Sequence, residues 1–407
     1  MRSLELFRPF LADPALRLAA LLMMLYGAFN ASVMPYVSTL AVNAFGLGDA
    51  GYALVLVAAS VVAVASAVGL GILADQRASR RLVAMLAVSA MLLGMVCVVV
   101  TGAASAFVVA HALALPLSTV LFGHIFAYAR LAASAHPPGA RDAILATLRA
   151  LFALPFIVVL PLWSLAFSHG AGLMAIYPVA ATLAALMLVL TIAHWPRDGA
   201  TRWADPRSGL SFRHALRELA VPRVLGRVAL LGTVNGAITL YLVLIGLVMA
   251  EAQGRGPADV ALYVGLVAGL EVPFMLATPL VARHFARNTL ILVGTVTYMV
   301  HLVAMPLLAA TPFLWLLALP AAAGGALAMT LPIAYLQDLL GNRPGAGASL
   351  MAVQKLAGDI FAASAFALGT WIAGYALAAM LGAGLAIAGI TLLWLLDRGP
   401  VGAAANI

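Results

Sequence analysis

Residues 71–82 read GILADQRASRRL, and residues 279–290 read PLVARHFARNTL; the two align without a gap. Each is a short basic segment that closes one long apolar run and opens the next. A spanning helix needs about 20 mostly apolar residues. Twelve such runs can be placed outward from the two segments: 16–43, 51–73, 82–101, 106–129, 143–166, 172–194, 226–250, 260–282, 289–309, 313–336, 348–371 and 375–396. None alternates with the period of a strand, so an outer-membrane barrel is excluded. The chain is 65% hydrophobic and 9% charged, where a soluble domain carries about 25% charge. It is expected to be an all-α membrane protein with twelve transmembrane helices.

The runs divide six and six about a polar stretch. The N-terminal bundle is expected over 1–194, a cytoplasmic linker over 195–224 and the C-terminal bundle over 225–407. The halves match at three further places in the same order. GAFNAS (27–32) resembles GTVNGA (232–237), and AYAR (127–130) resembles AYLQ (334–337). ATLRALFA (146–153) places Arg149 where AVQKLAGD (352–359) places Lys355. Parallel repeats of this kind give two bundles related by pseudo-two-fold symmetry, with a cleft between them and substrate near the midplane.

Basic residues stay on the cytoplasmic side of short loops. Arg2, Arg8 and Arg17, then Arg77, Arg80 and Arg81, then the arginines of the linker share one side, while the opposite loops hold only Arg255. Both termini are therefore expected in the cytoplasm, with the lipid bilayer of a bacterial inner membrane as the environment. The formal charge of +8 is scattered as topology signals and does not form a nucleic-acid surface. Cys97 is the single cysteine and no metal-ligand spacing occurs. Histidines and carboxylates do not gather in any loop, so neither an enzyme active site nor a cofactor is expected.

Four charges lie inside apolar runs: Arg149, Glu271, Lys355 and Asp359. Each opposes insertion by about 2.5–3.5 kcal/mol at a helix centre. Such groups line pathways by default. Lys355 and Asp359 are four residues apart and share a helical face, so they are expected to pair. Glu271 has no basic neighbour on its own helix. It lies about 16 Å from the nearer end of its span at the helical rise. Glu271 and Asp359 are the candidate proton-coupling residues. Arg149, Lys355, Gln354 and the mid-span amides Asn30 and Asn235 are candidates for binding substrate, with Tyr26, Phe29 and Tyr241 as stacking surfaces.

The loop at 71–82 resembles the signature of the major facilitator superfamily, G-x-L-A-D-[RK]-x-G-[RK]-[RK]. Gly71, Leu73, Ala74, Asp75, Arg77, Arg80 and Arg81 match, while Gln76 and Ala78 depart from it. The resemblance implies the major facilitator fold and a monomeric secondary transporter working by alternating access. Physically, Gly71 is expected to admit a close helix approach, and Asp75 to meet a helix N-terminus or Arg130. Gly71, Asp75, Arg77, Arg80, Arg81 and Arg130 are thus the gating candidates.

Three further segments, IFAYAR (125–130), LRALFALPFIVVLPL (148–162) and AGLEVPFMLATPLVARHF (268–285), resemble the sugar efflux transporter family within that superfamily. This implies export of sugars, glycosides or related small molecules, and with Glu271 and Asp359 as coupling residues the expected function is proton-coupled efflux of sugars or sugar-like small molecules. Few amides lie inside the spans, which keeps multidrug or other amphiphilic cargo as the alternative.

Overall fold

The computed structural model describes residues 8–77, 79–197, 200–201, 203, 222–339 and 344–398. Among these, twelve helices of membrane-spanning length follow one another: α1 (Pro14–Ala44) and α4 (Ala104–Ala133), with α2 (Gly48–Arg77), α3 (Arg80–Thr101), α5 (Pro138–Ser168), α6 (Ile176–His194), α7 (Pro222–Glu251), α8 (Pro257–Val281), α9 (Arg287–Leu308), α10 (Ala318–Leu339), α11 (Pro344–Ile372) and α12 (Tyr375–Arg398). Eleven helices are apolar enough to cross a membrane on composition. The remaining one, α11, has 29 residues, and Gln354, Lys355 and Asp359 reduce its hydropathy.

Local chemistry sets the boundaries. Asp13 caps α1, its Oδ1 accepting the Ala15 N–H at 2.9 Å, and Pro14 takes the first helical position, where a missing N–H costs nothing. Gly102 ends α3 at φ +59°, a conformation that disfavours a side chain. Prolines lie inside α5, α8, α9 and α10, where neighbouring helices tolerate the lost backbone bond.

By packing the chain forms two compact units. One comprises Met1–Met34, Val61–Trp163 and His169–Phe212; the other comprises Pro35–Ser60, Ser164–Ser168 and Arg213–Ile407. In the first, α6 packs on α1 and α3, and α4 on α1 and α3. In the second, α12 packs on α7 and α9, and α10 on α9. The same helix pairs therefore meet in each repeat. The aligned loops take part: Arg81 donates to the Ile192 carbonyl at 2.8 Å, joining α3 to α6. At the matching place, Trp394 Nε1 donates to Thr289 Oγ1 at 3.3 Å, joining α12 to α9.

Small residues bring backbones together, as membrane packing favours. A Cβ placed on Gly358 of α11 would lie 2.6 Å from the Gly232 carbonyl oxygen and 2.9 Å from the Gly236 nitrogen of α7. In the first unit Trp163 Nε1 donates to Ser32 Oγ at 2.9 Å, tying α5 to α1. One end of the second unit is clasped by Asp397. Its Oδ1 accepts Arg227 Nε at 3.1 Å, and its Oδ2 accepts Asn288 Nδ2 at 2.6 Å and the Tyr335 hydroxyl at 2.9 Å. Leu93, Val100, Leu276, Leu307 and Trp371 are exposed, the pattern of a surface that faces lipid.

Candidate functional site

The α7–α11 seam positions the principal site. Because Gly232, Gly236 and Gly358 leave no side chain between the two helices, Thr239 of α7 reaches Asp359 of α11 directly. Thr239 Oγ1 donates to Asp359 Oδ1 at 3.0 Å. Lys355 Nζ donates to Oδ2 at 2.7 Å across one turn of α11, the pairing expected from their spacing. Ser60 Oγ of α2 lies 2.8 Å from the same oxygen. It is also 2.9 Å from the Leu56 carbonyl, and the carboxylate is the stronger acceptor for its single proton. The Asp359 side chain is 7% exposed and that of Lys355 is 54% exposed. The carboxylate is therefore enclosed while its cation extends outward.

Burial of an ion pair is tolerated only where further hydrogen bonds satisfy its atoms. Here two hydroxyls do so, one from α2 and one from α7. Asn235 and Gln354 occupy the same seam. A Cβ on Gly358 would come within 2.8 Å of Asn235 Nδ2, and Gln354 Nε2 points to the Leu231 carbonyl at 3.4 Å. Ser60 belongs to the segment 35–60 that packs with the second unit. Further along that segment, Tyr52 meets Phe366 edge to face at 5.9 Å. The Tyr375 hydroxyl donates to Asp49 at 3.2 Å. The hydroxyl of Thr39 and the carbonyl of Pro35 occupy the space a Cβ on Gly246 would need.

Glu271 occupies a second setting. It is half-buried and makes no ion pair among the described residues. A Cβ on Gly325 would lie 2.5 Å from its Oε1 and 3.4 Å from Tyr298 Cε2, so the glycine gives the carboxylate its room. Tyr298 therefore lies beside the carboxylate, and Tyr241 meets Tyr298 edge to face with ring centroids 6.2 Å apart. Tyr241 lies 4.9 Å from His301, ring to ring, and the Tyr263 hydroxyl is 3.1 Å from His301 Nδ1. Tyr241, expected as a stacking surface, is thus buried against the ring that flanks Glu271.

In the first unit, Asn30 donates to the Tyr26 carbonyl at 2.7 Å, and Tyr26 and Phe29 are buried. Tyr26 meets Phe122 at 6.4 Å and Phe152 at 5.9 Å, and Phe122 meets Phe126 at 5.0 Å. Arg149 is exposed, one turn before Phe152.

The gating candidates fare unevenly. Gly71 does not admit a close approach: among the described residues, nothing lies within 4 Å of a Cβ placed there. Among the described residues that flank of α2 is open, and no neighbour there requires a small residue. The side chains of Asp75 and Arg77 lie outside the described residues. Arg80 is half-buried and Arg130 is exposed, while Arg81 ties α3 to α6 as described above. Sequence reasoning missed Ser60, Thr239 and Gly325. Each is a small or hydroxyl residue in an apolar run, and only the fold shows which carboxylate it serves.

These features define a multi-span, all-helical membrane protein built from two repeats, with the fold of solved transporters. Among solved structures, the nucleoside transporter NupG superposes with a TM-score of 0.77 over 95% of this chain and 100% of its own at 14% identity. A D-xylose–proton symporter does so at 0.69 over 94% of this chain and 97% of its own at 15% identity. A peptide transporter complexed with alafosfalin reaches 0.74 over 94% of each chain at 13% identity. No protein-family model matches the chain. In sequence it is similar to a Deinococcus radiodurans protein provisionally named a sugar efflux transporter, 28% identical over 390 residues, which are 90% of this chain and 94% of the relative.

Proposed function

We propose that the chain exports sugars or sugar-like small molecules in exchange for protons, by alternating access between bundles 1–194 and 225–407 joined by the linker 195–224. The observation that carries this reading is the enclosed Asp359, held at once by Lys355, Ser60 and Thr239. A charged Asp359 holds segment 35–60 against α7 and α11. A proton arriving on it removes the charge that Lys355 and Ser60 bind, and the segment is free to part. With both termini in the cytoplasm of a bacterial inner membrane, that segment is the outer gate. Asp75 and the arginines 77, 80, 81 and 130 serve the inner one. Glu271 is the second proton site, and Tyr241 forms its wall.

Lys355, Asn235 and Gln354 present donors and acceptors to the substrate from the α7–α11 seam. Asn30 and Arg149 present them from the other repeat, where Tyr26 and Phe29 shape the wall. The protein acts as a monomer and carries out no covalent chemistry.

Export of amphiphilic compounds by the same fold is the second reading. It is favoured by the amides of Asn30 and Gln354, which are directed to backbone carbonyls, because sugars demand many free hydrogen-bonding groups. Purified protein in liposomes under an imposed pH gradient separates the two. A labelled disaccharide is expected to move against the proton flow and a fluorescent cationic dye to stay. Movement of the dye alone transfers the assignment to amphiphiles, and a gradient that drives neither overturns the proposal.

A further inference from the structure

The internal repeat contains its own control experiment in charge. Arg149 of α5 and Lys355 of α11 stand at matching positions of ATLRALFA and AVQKLAGD. Lys355 has a built-in counter-ion four residues on, Asp359, at 2.7 Å. At the matching place in the first repeat stands Ala153. Arg149 makes no ion pair among the described residues, and its side chain is exposed. An arginine inside a spanning helix pairs with an acid or a carbonyl, or faces an aqueous cavity. At these matching positions the first repeat therefore retains the cation and lacks the anion.

The surroundings of Arg149 indicate what supplies that anion. Phe152 and Phe156 follow it at three and seven residues, on the same flank of α5. Phe152 is 5.1 Å from Phe122 and 5.8 Å from Phe156, ring to ring, and Tyr26 adjoins both Phe122 and Phe152. Phe122, Phe152 and Phe156 are only half-buried. A guanidinium at the border of an aromatic wall suits a molecule with an apolar face and one planar anionic group, because its fork of donors matches a carboxylate. Lysine at the matching position, already neutralised by Asp359, offers no equivalent.

We infer that the substrate is anionic: a sugar-like molecule bearing one carboxylate, which ion-pairs with Arg149 while its ring or aglycone lies on the Phe122–Phe152–Phe156 wall. This rests on the transport reading above but concerns recognition, and binding tests it without transport. The probes are p-nitrophenyl β-glucuronide and p-nitrophenyl β-glucoside, which share ring and aglycone and differ by a carboxylate. Binding of each to the full chain in lipid nanodiscs is measured by calorimetry. The glucuronide is expected to bind at least about tenfold more tightly, the scale of one charge-assisted pair. Arg149→Gln is expected to erase that preference, weakening the glucuronide far more than the glucoside, and Arg149→Lys to restore part of it.

Equal affinity in the wild type, a preference that survives Arg149→Gln, or no binding of either probe would each overturn the inference. Circular dichroism of the variants separates loss of recognition from loss of fold. If the glucoside alone binds and is exported in exchange for protons, the anion is wrong and the transporter stands. If the glucuronide binds as expected but no pH gradient moves it, recognition stands and the transport reading fails.

Discussion

At the scale of single residues, the Asp359 network makes separable predictions. Thr239→Val removes one donor from an enclosed carboxylate, and a hydrogen bond to a charged group contributes about 1.5–3 kcal/mol. The unfolding midpoint in detergent is expected to fall accordingly; an unchanged midpoint would show that the Thr239 contact carries no weight. Asp359→Asn retains shape and removes charge, so proton-driven export should fall at least about tenfold, a barrier change near 1.4 kcal/mol, while substrate binding persists. Glu271→Gln is expected to flatten the pH dependence of transport, and a profile identical to wild type would remove Glu271 from the proton path. Much of this site was legible from sequence. A lysine and an aspartate four apart in an apolar run could hardly do other than pair. Ser60 and Thr239 were not legible, because a hydroxyl in an apolar helix equally well bonds its own backbone, as Ser32 does with the Ala28 carbonyl at 2.8 Å.

At the scale of helices, the α7–α11 seam depends on the absence of side chains. Gly358→Val would drive carbons into the α7 backbone at Gly232 and Gly236, which cannot yield as a flexible side chain can. Overpacking of this kind costs about 1–3 kcal/mol or more, and the seam also positions Asp359. The variant should lose both thermal stability and transport. Gly71→Ala provides the contrast: with open space around it, the change should be neutral or stabilising by up to about 1 kcal/mol through helix propensity. A large loss of stability there would mean that Gly71 does meet another helix. The helices themselves were legible because length and apolarity suffice to define a span. Which glycines face a neighbour was not, since Gly71 and Gly358 look alike until packing assigns one to an open flank and the other to a seam.

At the scale of the molecule, segment 35–60 packs with the second unit through Ser60, Tyr52 and Asp49. The proposed cycle requires that this association break in every turnover. In a Cys97→Ser background, Asp49→Cys with Tyr375→Cys, joined by a short bifunctional thiol reagent, should stop transport, and a cleavable reagent should allow its recovery on reduction. Undiminished transport by the linked protein would show that the segment stays in place throughout. The two repeats were visible in the sequence through matched loops, but the attachment of 35–60 was not, because no local pattern distinguishes a helix end that keeps to its own repeat. The polarity of α11 also bears on how the chain is made. Of the twelve helices it is the one whose composition falls short of a span, so it is the least able to leave the translocon for lipid unaided. The groups that satisfy its carboxylate, Ser60 and Thr239, lie on helices synthesised earlier. They precede α11 in the chain, so α11 is expected to enter the bilayer by docking onto a surface that already carries both hydroxyls.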